Sequence, residues 1–325
     1  MKHFLASSLL FFQTVIQQGH ELAVLSLAQS PDSSLVATGS RDKTAKLWEI
    51  STGREVRSFL GHTGSVNCID FSADGQYMIT SSGDKTARIW EVATGKSIFT
   101  TPVEAKYLTA VAFSHDAKYF FTGGYPNEAH LWDFESKKIV QSFKVNADQG
   151  LGYGINVAFS EDGKWLAIGE DNRTAAVYST ATWEKVYTFE QAEGWCGGCA
   201  TWVAFSADSK TLLVASNKTV VRKYKLSNGD LLQTYGDEVE ELSGVGFSKN
   251  GNEIWVVTKS SVVTWENQSG KLVKEITPDT ETEINEAHMA ADGSLLLACD
   301  NNTAYQLNTK TDQIETTLTG LLNQR

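Results

Sequence analysis

The chain has few prolines, a deficit of basic residues and no long apolar segment, and each shortage excludes a class of protein. With only 4 prolines in 325 residues, it lacks the composition of a Pro-rich or disordered chain. Lys and Arg number 28 against 39 Asp and Glu, a formal net charge of −11. That charge opposes binding to nucleic acid or anionic lipid, because both depend on basic side chains. No apolar run reaches the roughly 20 residues of a membrane span.

The N-terminus supports two interpretations. Residues 1–12 begin with a basic stretch and continue as an almost wholly apolar segment, which resembles a short signal peptide and favours a periplasmic or extracellular protein. No small-x-small cleavage site follows, so a frayed or fragment N-terminus, in a protein that stays in the cytoplasm, is the alternative. We expect one domain over residues 13–319 and a tail over 320–325.

A short pattern recurs seven times: a serine, which is alanine in the last copy, any residue, an Asp or Asn, and a small residue. Its copies begin, at intervals of 42 or 46 residues, at Ser30, Ser72, Ser114, Ser160, Ser206, Ser248 and Ala290. A second landmark, usually aromatic, follows each copy after 17 or 18 residues, at Trp48, Trp90, Trp132, Tyr178, Tyr224, Trp265 and Leu307. Two independent landmarks in step indicate seven structural repeats.

Within one repeat, the sequence signals are those of strands and turns. In the second repeat, strand patterns at 66–71, 77–80, 86–92 and 97–100 are separated by turn sequences such as Asp74-Gly75. Four short strands in about 42 residues are typical of a propeller blade. We therefore predict an all-β fold, a seven-bladed β-propeller of four-stranded antiparallel blades, in which neighbouring blades bury each other's faces.

Two repeats resemble those of the WD40-repeat family, and the first three look like its bacterial members. The best copies are residues 39–49 (GSRDKTAKLWE) and 82–91 (SGDKTARIWE), each preceded by a Gly-His pair. The likeness extends from about Gln13 to Thr319. It implies a structural hydrogen-bond network in each of these two blades, since a buried Asp and a buried Trp N–H both need partners. The matching residues are His20, Ser40, Asp42 and Trp48, and His62, Ser82, Asp84 and Trp90.

The later repeats depart from the family pattern. The position of the turn aspartate is taken by Pro126, Asn172, Lys218 and Lys259, and no Gly-His pair precedes the third to seventh repeats. We expect apolar packing to hold these blades together.

The chain offers eight candidate outer strands for seven blades. Residues 13–18 precede His20 as residues 55–59 precede His62, and residues 313–318 form a similar segment at the other end. In the WD40 family an N-terminal strand completes the last blade. We therefore expect residues 13–18 to close the ring and residues 313–318 to be an added edge, a swapped strand or the start of a longer chain.

Sequences that resemble catalytic motifs have structural explanations. The segment 195–199 (WCGGC) resembles the redox motif of thioredoxins, which requires a helix N-terminus that is not expected here. Cys196 and Cys199 form either a local disulfide or two plain thiols, and one Cys-x-x-Cys supplies only two zinc ligands. Cys68 and Cys299 fall in strands of non-adjacent blades and are predicted to be core residues. We predict no catalytic residue, no metal and no cofactor.

The family resemblance implies binding of peptides or protein surfaces on the face formed by the inter-blade loops and the turns before each Trp strand. Aromatic residues in those loops predict anchors, because Tyr and Trp are enriched at interface hot spots. The candidate partner-binding residues are Arg41, Tyr107, Tyr125, Tyr153 and Trp195. Acidic residues in the sixth and seventh loops predict attraction of a basic partner; they are Asp237, Glu238, Glu240, Glu281 and Glu283. The alternative is that the aromatic residues cap hydrophobic loops and that the acidic residues only keep the protein soluble.

These observations predict a monomeric, non-catalytic scaffold that binds a protein or peptide, without binding nucleic acid or spanning a membrane. Two alternatives stay open. One is an exported propeller with a redox-active or structural disulfide between Cys196 and Cys199. The other is a propeller fragment that regulates a longer multidomain protein.

Overall fold

A computed structural model describes residues 19–102, 107–125, 128–145, 155–170, 173–191, 201–217, 219–239, 241–280, 282–290 and 292–318. Across these ranges the chain forms seven four-stranded antiparallel sheets and no helix. The predicted seven-bladed β-propeller is therefore confirmed. The described ranges accordingly contain no helix that is long and apolar enough to cross a membrane.

Each blade consists of four strands that are consecutive in the chain. The first strand of each blade lies nearest the central channel of the propeller, and the fourth strand lies at the outer rim. The first two blades contain β1 (Val24–Gln29), β2 (Leu35–Ser40), β3 (Ala45–Glu49), β4 (Arg54–Phe59), β5 (Val66–Phe71), β6 (Tyr77–Ser82), β7 (Ala87–Glu91) and β8 (Ser97–Thr100). The next two contain β9 (Tyr107–Phe113), β10 (Tyr119–Tyr125), β11 (Glu128–Asp133), β12 (Ile139–Lys144), β13 (Asn156–Phe159), β14 (Trp165–Gly169), β15 (Thr174–Ser179) and β16 (Lys185–Glu190).

The last three blades follow the same plan. They contain β17 (Thr201–Phe205), β18 (Thr211–Ser216), β19 (Thr219–Lys225), β20 (Leu231–Val239), β21 (Leu242–Phe247), β22 (Glu253–Thr258), β23 (Val262–Glu266), β24 (Leu272–Ile276), β25 (Ile284–Met289), β26 (Leu295–Cys299), β27 (Ala304–Asn308) and β28 (Gln313–Leu318).

The recurrent Ser-x-Asp sequence forms the turn between the first and second strands of each blade. In the second blade, Ser72 Oγ donates to Asp74 Oδ1 at 2.6 Å and accepts from the Tyr77 N–H at 3.0 Å. Asp74 Oδ1 also accepts from the Gln76 N–H at 2.9 Å. These bonds satisfy the backbone of a tight turn, which explains why the pattern recurs once per blade.

The core consists of seven apolar clusters, one at each interface between neighbouring blades. The cluster between the first and second blades, for example, joins Leu47 and Phe59 to Met78 and Trp90. The other interfaces are filled in the same way. The cluster between the seventh blade and the first closes the ring.

The outer strand of the seventh blade differs from the expectation. β28 (Gln313–Leu318) pairs with β27 and places Leu318 opposite Ala304, so the prediction that residues 13–18 fill this position is wrong. A hairpin from the adjacent segment closes a short loop, which costs less chain entropy than recruiting a strand from the far terminus. Residues 13–18 lie outside the described ranges.

The first strands of the blades surround a central channel of 1880 Å³. Their channel-side edges have no strand partner, so side chains of one blade bond to the backbone of the next. Glu286 Oε2 accepts from the Leu27 N–H at 2.9 Å, and Asn285 Nδ2 donates to Val24 O at 2.8 Å. These two bonds reinforce the junction at which the ring closes.

Candidate functional site

A chain of hydrogen bonds joins four side chains in the first blade. Trp48 Nε1–H donates to Thr38 Oγ1 at 2.7 Å, and Thr38 Oγ1 lies 2.7 Å from His20 Nε2. His20 Nδ1 lies 2.9 Å from Asp42 Oδ2. One tautomer satisfies every group: Nδ1–H donates to the carboxylate, and Nε2 accepts from the threonine hydroxyl. Buried polar groups that are all paired in this way lock the loop onto the blade.

The second blade repeats this arrangement. Trp90 Nε1–H donates to Thr80 Oγ1 at 2.9 Å, Thr80 Oγ1 lies 2.8 Å from His62 Nε2, and His62 Nδ1 lies 2.8 Å from Asp84 Oδ2. Thr80 is fully buried. The two networks therefore have the same geometry in adjacent blades.

The hydroxyl that links histidine to tryptophan belongs to a threonine, so the assignment of Ser40 and Ser82 to that role is wrong. Ser40 Oγ instead donates to Leu22 O at 2.8 Å and accepts from the Asp42 N–H at 3.0 Å. Ser82 makes the equivalent bonds in the second blade. Each serine ends its strand beside the turn, whereas the threonine lies two residues earlier on the same face, within reach of the indole.

The network also determines the charge states of its members. Burial raises the pKa of Asp84, but hydrogen bonds from Thr86, Thr63 and His62 outweigh burial and lower the pKa to about 2. Similar bonds hold the pKa of Asp42 well below its usual range. Burial lowers the pKa of His62, against the opposing effect of Asp84. In the second blade, Asp84 is therefore charged and His62 neutral at neutral pH.

The threonine that links histidine to tryptophan can be recognised in the sequence by its spacing from the repeat pattern. Thr38, Thr80 and Thr122 each lie eight residues after the first residue of the repeat pattern. Trp132 Nε1–H donates to Thr122 Oγ1 at 2.9 Å, so the third blade keeps this part of the network. In the last four blades the position is apolar and fully buried, occupied by Ile168, Val214, Val256 and Ala298. Those blades use apolar packing where the first three use a hydroxyl.

Two tyrosines stack in the third blade on the loop face, which is the face formed by the inter-blade loops and the turns before each Trp strand. Tyr107 begins β9 and Tyr125 ends β10, and the two residues are directly opposite in register. Their ring centroids are 5.6 Å apart with an interplanar angle of 17°. Gly124 is needed beside them, because a Cβ there would lie 2.2 Å from Tyr107 O. The half-buried pair offers an aromatic surface next to the channel mouth, which Tyr107 lines.

Arg41 lies at the same mouth, in the turn before the Trp strand of the first blade. Its side chain is 56% exposed and approaches Asp300 at 4.0 Å. Arg41 of the first blade and Tyr107 of the third blade thus both line the central channel. Tyr153 and Trp195, the other predicted anchors, lie outside the described residues, as do Cys196 and Cys199.

Not all of the acidic residues that were predicted to lie in the sixth and seventh loops are found in loops. Asp237 and Glu238 belong to β20, which runs to Val239, so their placement in a loop is wrong. The extension is held by pairing of Thr219 with Val239. Glu283 Oε2 forms an ion pair with Lys259 Nζ at 2.5 Å, which neutralises its charge. Glu240 and Glu281 lie outside the described residues.

Of the two described cysteines, Cys299 is a core residue, whereas Cys68 packs partly against the core and lines the central channel. Cys299 is fully buried between the sixth and seventh blades. Cys68 is half-buried, and its thiol lies 3.7 Å from Val111 O. Burial raises the pKa of both thiols, that of Cys299 to about 12. Across the described ranges, no group of three or more His, Cys, Asp or Glu side chains is arranged to hold a metal ion.

Comparison with known proteins agrees with the division between the first three blades, which contain the threonine–tryptophan hydrogen bond, and the last four, which have an apolar residue in place of the threonine. Three segments, residues 12–49, 53–91 and 95–133, match the family described as "WD domain, G-beta repeat". They end at the last residues of β3, β7 and β11, the strands whose tryptophans bond to threonine. The match therefore covers β1 to β11, which include the three threonine–tryptophan bonds, and stops before β12, the outer strand of the third blade.

Similar proteins share short segments with this chain. A Lissencephaly-1 homolog of Monosiga brevicollis is 38% identical over 58 residues, which are 18% of this chain and 14% of that protein. The nuclear distribution protein PAC1-2 of Postia placenta is 41% identical over 51 residues (16% and 12%). Periodic tryptophan protein 2 of Arabidopsis thaliana is 40% identical over 55 residues (17% and 6%).

The chain therefore matches no more than 14% of the length of these three relatives. All three come from eukaryotes, so they lend no support to the likeness with bacterial members. The matched segments, the networks of the first two blades and the shared threonine–tryptophan bond lead to one conclusion: residues 12–133 of this propeller contain three segments that match WD40 repeats.

Proposed function

We propose that the protein is a non-catalytic scaffold that binds a peptide or protein on the loop face of the propeller. The observation that carries this proposal is the stacked pair Tyr107–Tyr125, half-buried at the channel mouth that Arg41 also lines. A rigid aromatic pair presents a large contact area and loses little conformational entropy on binding, and tyrosine and arginine are enriched at interface hot spots.

The aspartate–histidine–hydroxyl series in the first two blades resembles a catalytic relay, but its geometry supports a structural role. Each hydroxyl already lies between an imidazole and an indole N–H. Thr38 and Thr80 are no more than 1% exposed. A nucleophile must reach its substrate, and these hydroxyls face the packed interior. The network therefore supports the loop face without supplying chemistry to it.

The proposed anchors extend around one side of the ring. Tyr107 and Tyr125 belong to the third blade, and the sequence places Tyr153 and Trp195 in the loops that lead into the fourth and fifth blades. A partner that contacts several consecutive loops gains buried area from each of them.

Selection of random peptides displayed on phage, with the whole protein as bait, tests the proposal. We expect the selected peptides to bind the double variant Tyr107→Ala/Tyr125→Ala at least about tenfold more weakly, a typical hot-spot loss. The control Leu231→Ala/Leu272→Ala removes two apolar side chains that are 51% and 54% exposed on outer strands. Equal binding to the tyrosine variant, or equal losses in both variants, would contradict a loop-face site.

A further inference from the structure

Two carboxyl groups in the central channel join neighbouring blades. Asp70, on β5, accepts the Phe113 N–H of β9 at 2.7 Å, across the junction between the second and third blades. Glu286, on β25, accepts the Leu27 N–H of β1 at 2.9 Å, across the junction between the seventh and first blades. Both residues line the channel and are half-buried. A titratable group therefore stands at each of the two junctions that join the first two blades to the rest of the ring.

The other blades show that these positions do not require a charge. Counted from the repeat pattern, the residues equivalent to Asp70 in the other blades are Ala28, Ala112, Ala158, Ala204, Gly246 and His288. Asn156 is the equivalent of Glu286 in the fourth blade, and its Oδ1 accepts the Val203 N–H of the fifth blade at 3.0 Å. Because a neutral amide makes the same bond between blades, a carboxyl group at this position adds titration rather than contact.

The neighbouring channel groups supply no positive charge to this pair. Cys68 shares β5 with Asp70, and His288 shares β25 with Glu286, each two residues away and lining the channel. Burial raises the pKa of Cys68 and lowers the pKa of His288, so both side chains are neutral at neutral pH. β1 and β21, which flank β25, contain no titratable residue.

The remaining titratable groups lie on the far strands or at the channel ends. Those on strands packed against β5 and β25 are Tyr77 of β6, Tyr107 of β9, Glu253 of β22 and Cys299 of β26. Of these, Tyr107 lines the channel, at its loop-face mouth. The loop-face end also holds Arg41, Arg173, Glu241 and Lys259, and the opposite end holds His115 and Glu161. Across the described ranges, no ion pair within 4.0 Å involves Asp70 or Glu286.

Ionisation of the two carboxyl groups is therefore unfavourable in the folded chain. Burial raises the pKa of Asp70 to about 7 and that of Glu286 to about 8, and the charge of Asp70 adds to the effect on Glu286. The backbone N–H groups favour the ionised form, but burial outweighs them. With a pKa raised by folding, the stability that each group contributes is present below the ordinary carboxyl pKa and is lost as pH rises through 7 to 8.

We propose that Asp70 and Glu286 form a pH-sensitive latch, which holds the first two blades to the rest of the ring when protonated and loosens them when ionised. A protonated carboxyl group keeps a carbonyl oxygen for the N–H of Phe113 or Leu27. Two ionised groups are poorly solvated in the channel wall and repel each other across β1. The latch is independent of the proposed scaffold function, since both residues lie on channel strands and not in the loop-face turns.

Urea unfolding of the full chain at pH 6 and pH 8, at constant ionic strength, tests the latch. Asp70→Asn/Glu286→Gln removes the titration and keeps an acceptor oxygen at both positions. A group with a raised pKa lowers the folding equilibrium constant by up to about tenfold for each pH unit between its unfolded and folded pKa. We therefore expect the unmodified protein to lose at least about tenfold more of this constant between the two pH values than the variant does. The control Glu135→Gln/Asp230→Asn removes two exposed carboxylates and should behave like the unmodified protein.

Hydrogen–deuterium exchange, corrected for the intrinsic rate at each pH, locates the effect. The amides of Leu27 and Phe113 should lose at least about threefold more protection between pH 6 and pH 8 than the amide of Val203. Val203 is the internal control, because its acceptor Asn156 does not titrate. Equal losses at the three amides would overturn the proposal.

The unfolding data can also reject the latch. Equal pH dependence in the unmodified protein and in Asp70→Asn/Glu286→Gln, or the same flattening in the control variant, contradicts it. A loss of stability that is the same at both pH values assigns the two carboxyl groups a purely structural role and likewise rejects it. If the double variant does not fold, Glu286→Gln alone should remove part of the decline, and an unchanged pH profile in that variant overturns the proposal.

Discussion

Replacing Thr80 by valine removes one hydroxyl from the centre of a buried network. Valine has almost the same shape as threonine, so the substitution leaves no large cavity in a site where Thr80 is fully buried. The change deprives two groups of their partner: Trp90 Nε1–H, at 2.9 Å, and His62 Nε2, at 2.8 Å. Both rings stay in place, because apolar neighbours hold Trp90 between the first two blades.

The expected cost follows from these two lost bonds. A buried donor or acceptor left without a partner costs about 1–3 kcal/mol, so the loss of two partners should lower the unfolding free energy by about 2–6 kcal/mol. Ser82→Ala is the matched control in the same strand. It removes bonds to Gly64 O and from the Asp84 N–H. Ser82 is itself fully buried, but Gly64 and Asp84 are half-buried turn residues, so water replaces part of the loss. We expect about 1 kcal/mol for that variant.

Urea unfolding monitored by tryptophan fluorescence and by circular dichroism measures both variants, and coincident transitions from the two probes establish two-state behaviour. The account requires Thr80→Val to be more destabilising than Ser82→Ala by at least about 1 kcal/mol. Equal costs, or a larger cost for Ser82→Ala, would falsify the conclusion that threonine is the bridging residue.

Two further predictions concern titration and thiol reactivity. The lowered pKa values of His62 and Asp84 contribute stability that is present above pH 6.5 and is lost as pH falls towards 2. Asp84 accounts for about 1 kcal/mol of that loss. In urea titrations at decreasing pH, the unfolding free energy of the double variant His62→Gln/Asp84→Asn should therefore decline less steeply than that of the unmodified protein. Cys68 and Cys299, with raised pKa values, should resist a thiol reagent at pH 8 in the folded protein and react after unfolding; rapid native labelling of Cys299, mapped by mass spectrometry, would contradict its place in the core.

The repeat number and blade structure follow from the sequence, because the determinants are local. The Ser-x-Asp turn, the strand patterns and the spacing of the Trp strand are each encoded within about 42 residues. Ser72, Asp74 and Tyr77 illustrate this, since their turn is stabilised entirely by contacts within six residues. Turns and strands that are determined locally in this way can be predicted from the sequence without knowing the rest of the fold.

The errors concern features that depend on depth or on distant parts of the chain. Ser40 and Thr38 point to the same face of β2, and only the depth of the Trp48 ring distinguishes them. The outer strand of the seventh blade depends on whether the N-terminal or the C-terminal segment pairs with β27, and no local sequence pattern encodes that choice. The strand assignment of Asp237 and Glu238 depends on pairing with Thr219, across a hairpin.

Hydrogen–deuterium exchange of the protein with and without a saturating phage-selected peptide tests the central claim most directly. Binding on the loop face predicts slower exchange in Tyr107–Phe113, Tyr119–Tyr125 and the turns at residues 41–44 and 83–86. The same account predicts no change in the Ser-x-Asp turns on the opposite face, such as residues 72–77. Protection confined to those opposite turns, or to the outer strands, would contradict the claim that the loop face is the binding surface.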